Sequence, residues 1–98
     1  MTESALSRRI REHANALPAC RALKLPGGPM MERGTPDLLV VREGRAVFLE
    51  VKVGKNKPSK LQERRLDQWR EAGAVAIPVW SFEEAVEALR AIGEGSGG

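Results

Sequence analysis

Hydrophobic positions along this chain change period several times, and each change marks an element. From Glu3 to Leu17 the apolar residues Leu6, Ile10, Ala14 and Leu17 recur every three or four positions, with Arg8, Arg9, Arg11 and Glu12 between them. That spacing predicts an amphipathic helix. Pro18 ends it, because the residue before a proline is pushed out of helical geometry. Ala19 to Leu25 then suits a short strand, and the prolines and glycines from Pro26 to Gly34 argue for a loop. Two apolar runs follow, Leu38 to Val41 and Ala46 to Val53, joined by Arg42-Glu43-Gly44-Arg45. They read as a β-hairpin with Glu43-Gly44 as a two-residue turn. Leu38, Val40, Val47, Leu49 and Val51 alternate with Leu39, Val41, Ala46 and Phe48. Both faces are therefore apolar, which predicts a sheet covered on both sides.

Ser59-Lys60-Leu61-Gln62 has the form of a capping box and opens a second helix that Gly73 stops. Along it Gln62, Leu66, Trp69 and Gly73 share one face, which places Gln62 and Trp69 toward the packed side. Ala74 to Trp80 predicts a fourth strand, and Pro78, with no N–H to donate, suits an edge or a strand end. Ser81-Phe82-Glu83-Glu84 is a second capping box, starting a helix through Val86, Leu89 and Ile92. The order is α-β-β-β-α-β-α, with the last strand joined by a right-handed parallel crossover. This predicts one α/β domain over residues 1–92, a central mixed four-stranded sheet flanked by helices, and a flexible glycine-rich tail over 93–98.

Hairpin register brings the chemistry into view. A two-residue turn at Glu43-Gly44 pairs Arg42 with Arg45 and, further out, sets Asp37 opposite Glu50. Directly opposed Cβ atoms lie roughly 4.5–5.5 Å apart, a spacing at which two carboxylates destabilise one another unless a proton or cation compensates. Side chains alternate along a strand, so Lys52 shares the face of Glu50 about 6.6 Å further on. Carboxylates are hard ligands suited to Mg²⁺ or Mn²⁺. Asp37 and Glu50, with the carbonyl of Val51, could hold such an ion against a phosphodiester, while Lys52 orients a water or stabilises charge on phosphorus. Glu-x-Lys on a strand and Pro-Asp at a turn are individually common. Their convergence at one end of an apolar hairpin is harder to explain structurally, because idle burial of these charges would cost desolvation energy.

Composition narrows the setting. The chain has 98 residues, 42% hydrophobic and 30% charged, with a net charge of +3. That supports one small domain with a real core and permits a polyanionic partner without requiring one. Cys20 and His13 are each the only residue of their kind, which excludes a Cys- or His-rich zinc site and favours a reducing, cytoplasmic setting. No run approaches the roughly 18 apolar residues of a membrane span, and no signal segment is expected. Lys55, Lys57, Lys60, Arg64, Arg65 and Arg70 outnumber Glu63 and Asp67 near the presumed site, and could either grip phosphates or form a solvated helix face.

Gly34-Thr35-Pro36-Asp37, Glu50-Val51-Lys52 and Leu61-Gln62 together resemble the PD-(D/E)XK nuclease superfamily, specifically its virus-type replication-repair nuclease (VRR-NUC) branch. The resemblance implies a restriction-endonuclease-like core, Asp37 and Glu50 as metal ligands, and Lys52 as the catalytic lysine. It adds Gln62 as a further catalytic residue and Glu3 as a helix-one acid that binds or orients the metal, with Glu12 as an alternative for that role. Short members of the family look like phage or bacterial proteins acting as homodimers on branched DNA, including four-way junctions. The implied activity is a Mg²⁺- or Mn²⁺-dependent DNA endonuclease. A nucleic-acid binding module that keeps the fold without turnover is the competing expectation.

Overall fold

The computed structural model describes residues 1–95. Seven elements follow the expected order: α1 (Glu3–Ala16), β1 (Cys20–Lys24), β2 (Leu38–Arg42), β3 (Arg45–Val51), α2 (Lys60–Glu71), β4 (Val75–Val79) and α3 (Phe82–Gly95). The sheet has the order β1-β2-β3-β4, antiparallel across the first two pairs and parallel between β3 and β4. Pro78 thus lies on an edge strand, where a missing N–H costs no ladder bond. Among the described residues no helix is long and apolar enough to cross a membrane.

The larger core joins Leu6, Ile10 and Ala14 of α1 and Ala85, Leu89 and Ile92 of α3 to Leu38, Val40, Val47, Leu49 and Val51 of the hairpin. Phe82 locks the two helices together: Arg9 lies over its ring at 3.9 Å and His13 meets it edge-on at 5.3 Å. His13 is therefore a packing residue. On the opposite face, α2 seals a smaller cluster of Phe48, Leu66 and Ala76.

That second face departs from expectation. Helix α2 packs over the β3–β4 half and leaves the rest of the sheet bare, so Leu23 and Val41 are 58% and 42% exposed. Trp69, placed in the core by its helical spacing, is 40% exposed and stacks on Phe48 with ring centroids 4.1 Å apart. The i, i+4, i+7 pattern identified a common face correctly, but only Leu66 on it is buried. The expected tail also begins later, because α3 continues through Gly95. The remainder, 96–98, lies outside the described residues.

The hairpin turn is as predicted. Glu43 and Gly44 both have positive φ, 50° and 82°, the geometry of a type I′ turn, and Arg42 pairs with Arg45. Register then runs unbroken to Leu38 opposite Leu49. In such a hairpin the closing pair and every second pair after it exchange both backbone bonds, so Asp37 and Glu50 fall at the intervening kind of position, where side chains stand closest. Pro36, next in line, has no N–H to continue the ladder.

The loop between β1 and β2 is strapped to α2. Arg65 donates from Nε to the Arg33 carbonyl at 2.9 Å and meets the Glu32 carboxylate at 2.8 Å. Gly34 makes the close approach possible. Its φ is +81°, and a Cβ there would lie 2.9 Å from Leu61 Cγ and 3.2 Å from the Leu61 carbonyl oxygen. Gly34→Ala is expected to destabilise the protein by more than about 1 kcal/mol in urea unfolding. Gly27→Ala, where a Cβ meets nothing within 4 Å, should leave the midpoint nearly unchanged.

Candidate metal centre

Asp37 is held from two sides. Its carbonyl accepts the Leu25 N–H at 2.8 Å, where β1 ends, and its Oδ2 accepts the Val51 N–H at 2.7 Å. The side chain of Asp37 thus receives the backbone donor that the broken ladder leaves over. Glu50 is almost wholly enclosed, at 2% exposure, and its Oε2 has no hydrogen-bond partner. Burial pushes its pKa up to about 9, aided by a hydrogen bond with Asp37 and by repulsion from Asp37 and Glu3, and opposed by the Lys52 ammonium. In the metal-free protein a proton on Glu50 therefore makes the pair tolerable. The opposed carboxyls and the nearby lysine expected from register are all present.

A cavity of about 260 Å³ opens beside this pair, lined by Glu3, Ser4 and Ser7 of α1, Lys24 of β1, Asp37 and Val51. Glu3 faces the same space as Asp37, and its Oε2 accepts a bond from Asn56 Nδ2 at 3.4 Å. Among the described residues, however, no three His, Cys, Asp or Glu side chains converge closely enough to hold an ion by themselves. Glu3 is not gathered into a three-carboxylate cluster with Asp37 and Glu50. Glu12, one of the alternatives on helix one, is instead solvent-exposed and 4.0 Å from Arg8.

Two other expected residues are engaged structurally. Gln62 Oε1 accepts the Ser59 N–H at 2.9 Å while its own N–H bonds to Ser59 Oγ, completing the capping box of α2. Its side-chain carbonyl is spent on the helix start. Arg65, expected to grip phosphate, is committed to the loop and to Gln68. Lys55, Lys57, Lys60 and Arg64 remain exposed, and among the described residues none of the four joins an ion pair. The connection carrying Lys55 and Lys57 is pinned by Trp80, whose Nε1 donates to the Asn56 carbonyl at 2.7 Å.

Lys24, Ser7, Asn56 and Trp80 were not recognisable as neighbours of the site from their local sequence. Ser7 alone left a signal, since it lies one helical turn after Glu3 on the same face. Asp37 and Glu50, with the Val51 carbonyl, are the residues that could hold Mg²⁺ or Mn²⁺, ions that take oxygen ligands and complete their shell with waters and substrate oxygens. The orphaned Glu50 Oε2 is consistent with such a ligand.

An α-β-β-β-α-β-α core with acid, acid and lysine at the end of its central hairpin defines a nuclease fold. Comparison with solved structures finds a VRR_NUC domain that superposes with a TM-score of 0.75 at 30% sequence identity, covering 90% of this chain and 94% of that one. The chain belongs to the VRR_NUC family. No protein-family model matches the sequence, and no curated protein does.

Retention of a proton by folded Glu50 has a measurable sign. Unfolding exposes a glutamate of ordinary pKa 4.5, while the folded group titrates near 9. Its contribution is complete below the lower value and is lost as pH rises through the higher one. The Tm of metal-free protein should therefore fall between about pH 5 and pH 9. Glu50→Gln, an uncharged mimic of the protonated acid, should flatten that fall; parallel profiles would refute the protonated pair.

Proposed function

We propose that this domain is a Mg²⁺- or Mn²⁺-dependent endonuclease that hydrolyses phosphodiester bonds of DNA, selective for branched substrates such as four-way junctions and acting as a homodimer in the cytoplasm. The observation that carries the proposal is the buried Glu50 paired with half-buried Asp37, with Lys52 beside them. Asp37, Glu50 and the Val51 carbonyl would hold the cation, which when bound activates water and polarises the phosphate. To serve as a ligand Glu50 would have to be deprotonated. Lys52 holds its position through its backbone N–H, 2.9 Å from the Val79 carbonyl, and its ammonium orients the attacking water or balances charge developing on phosphorus. Glu3 contributes negative charge to the cavity from its far side.

The exposed Lys55, Lys57, Lys60 and Arg64 supply a path for the phosphate backbone. The half-bare sheet face around Leu23, Val41 and Trp69 offers apolar surface for a second copy, which would present two centres to one junction.

Purified protein should cut a four-way junction faster than the matching duplex, and only with divalent cation. Asp37→Asn and Lys52→Ala should each lower the rate at least about 100-fold with unchanged circular dichroism. Undiminished cutting by both variants would refute the assignment, and tight junction binding without any cutting in Mn²⁺ would favour a binding module that keeps the fold. Lys57→Ala and Lys60→Ala should each reduce the slope of log affinity against log salt by about 1. Arg65→Ala should lower Tm and leave that slope unchanged.

A further inference from the structure

Buried side-chain atoms without a hydrogen-bond partner, among the described residues, are Ser7 Oγ, Arg42 Nε and Glu50 Oε2. Arg42 has a role through its Nη1, which donates to the Leu89 carbonyl at 2.6 Å, and Glu50 belongs to the centre above. Ser7 is unexplained. It is 5% exposed, and a serine inside a helix ordinarily returns its hydroxyl to the carbonyl one turn earlier. Here it does not.

Ser7 lies instead one turn after Glu3 and lines the same cavity as Glu3, Lys24, Asp37 and Val51. An unpartnered hydroxyl beside an apolar core costs stability and returns nothing to it. The cavity, at about 260 Å³, has room for several waters. Mg²⁺ and Mn²⁺ in carboxylate sites retain several waters, which need oxygen acceptors around them. With no three-carboxylate cluster among the described residues, those acceptors must include groups beyond Asp37 and Glu50, neutral as well as charged.

Resting on the metal-dependent reading above, we propose that Ser7 is a positioning residue whose Oγ accepts a hydrogen bond from a hydration water of the divalent cation held at Asp37 and Glu50. The helix would thereby steady the ion's water shell through a residue that lines the same cavity as Asp37. Ser7 and Glu3, one turn apart, form a neutral and a charged acceptor for the same shell.

The test is Mn²⁺ binding, followed by calorimetry and by the loss of the free-ion electron paramagnetic resonance signal, in wild type, Ser7→Ala and Asp37→Asn. Tm is measured for each protein with and without metal. Ser7→Ala is expected to weaken Mn²⁺ affinity about tenfold. Its metal-free Tm should equal or exceed that of wild type, because the deleted hydroxyl has no partner to lose. Wild-type affinity in Ser7→Ala, with Asp37→Asn defective, overturns the role of Ser7 and leaves the metal centre standing. A metal-free Tm lowered as much as the metal-loaded one would make Ser7 a structural residue and also overturn it. Absence of Mn²⁺ binding by wild type, or equal binding by Asp37→Asn, removes the metal centre and this inference together.

Discussion

Two carboxyl groups pressed together at a closely spaced hairpin position are the constraint around which this small domain is organised. Neither residue chooses its neighbour. The positive φ values of Glu43 and Gly44 set the turn, the turn sets the register, and the register delivers Asp37 to Glu50 at the far end of two strands. Each strand is anchored by the apolar residues between: Leu38, Val40, Val47 and Leu49 are all completely buried. A one-residue slip would turn that whole set away from α1 and α3, so the hydrophobic core enforces the acid pair. Packing energy thereby holds an electrostatically unfavourable contact.

The surrounding elements convert that contact into a site. Pro36 terminates the ladder just where Asp37 needs a free strand end, and the Val51 N–H, left without its regular acceptor, is taken by the Asp37 carboxylate. The β1 end fixes the Asp37 backbone through Leu25, and α1 closes the cavity with Glu3 and Ser7. On the other flank, Trp80 and Asn56 tie the basic connection to the start of α1. Residues far apart in the chain thus meet at one end of the sheet, although the acid pair itself comes from the residue before β2 and from β3.

Legibility in the sequence followed the range of the forces involved. Element order, both helix starts and the hairpin register could be read, because turn chemistry, capping and hydrophobic period act within a few residues. The acid pair and Lys52 were accessible for the same reason: two counts along a strand suffice. Trp69 was misplaced because periodicity reports which residues share a face and says nothing of how far the opposing sheet extends beneath it. Arg65 was read as a phosphate ligand because its charge was visible and its partner was not; the Arg33 carbonyl lies 32 positions earlier and is brought near only by the Gly34 contact. Gln62 could support either a capping box or a chemical role, and the capping box was already written in Ser59 three residues before. Lys24 and Asn56 carry no local pattern at all.

Burial of Glu50 also bears on how the hairpin closes. Two ionised carboxylates at this spacing inside the protein would oppose closure of the hairpin. A proton on one of them removes the repulsion and adds a hydrogen bond. The second oxygen of Glu50 still has no partner, and an unpaired buried acceptor is a standing energetic cost. Stability and pH are therefore coupled through a single group, since raising pH through the folded value removes the proton from Glu50. The register that creates the repulsion thus also creates the demand for a positive partner, which the proton on Glu50 meets.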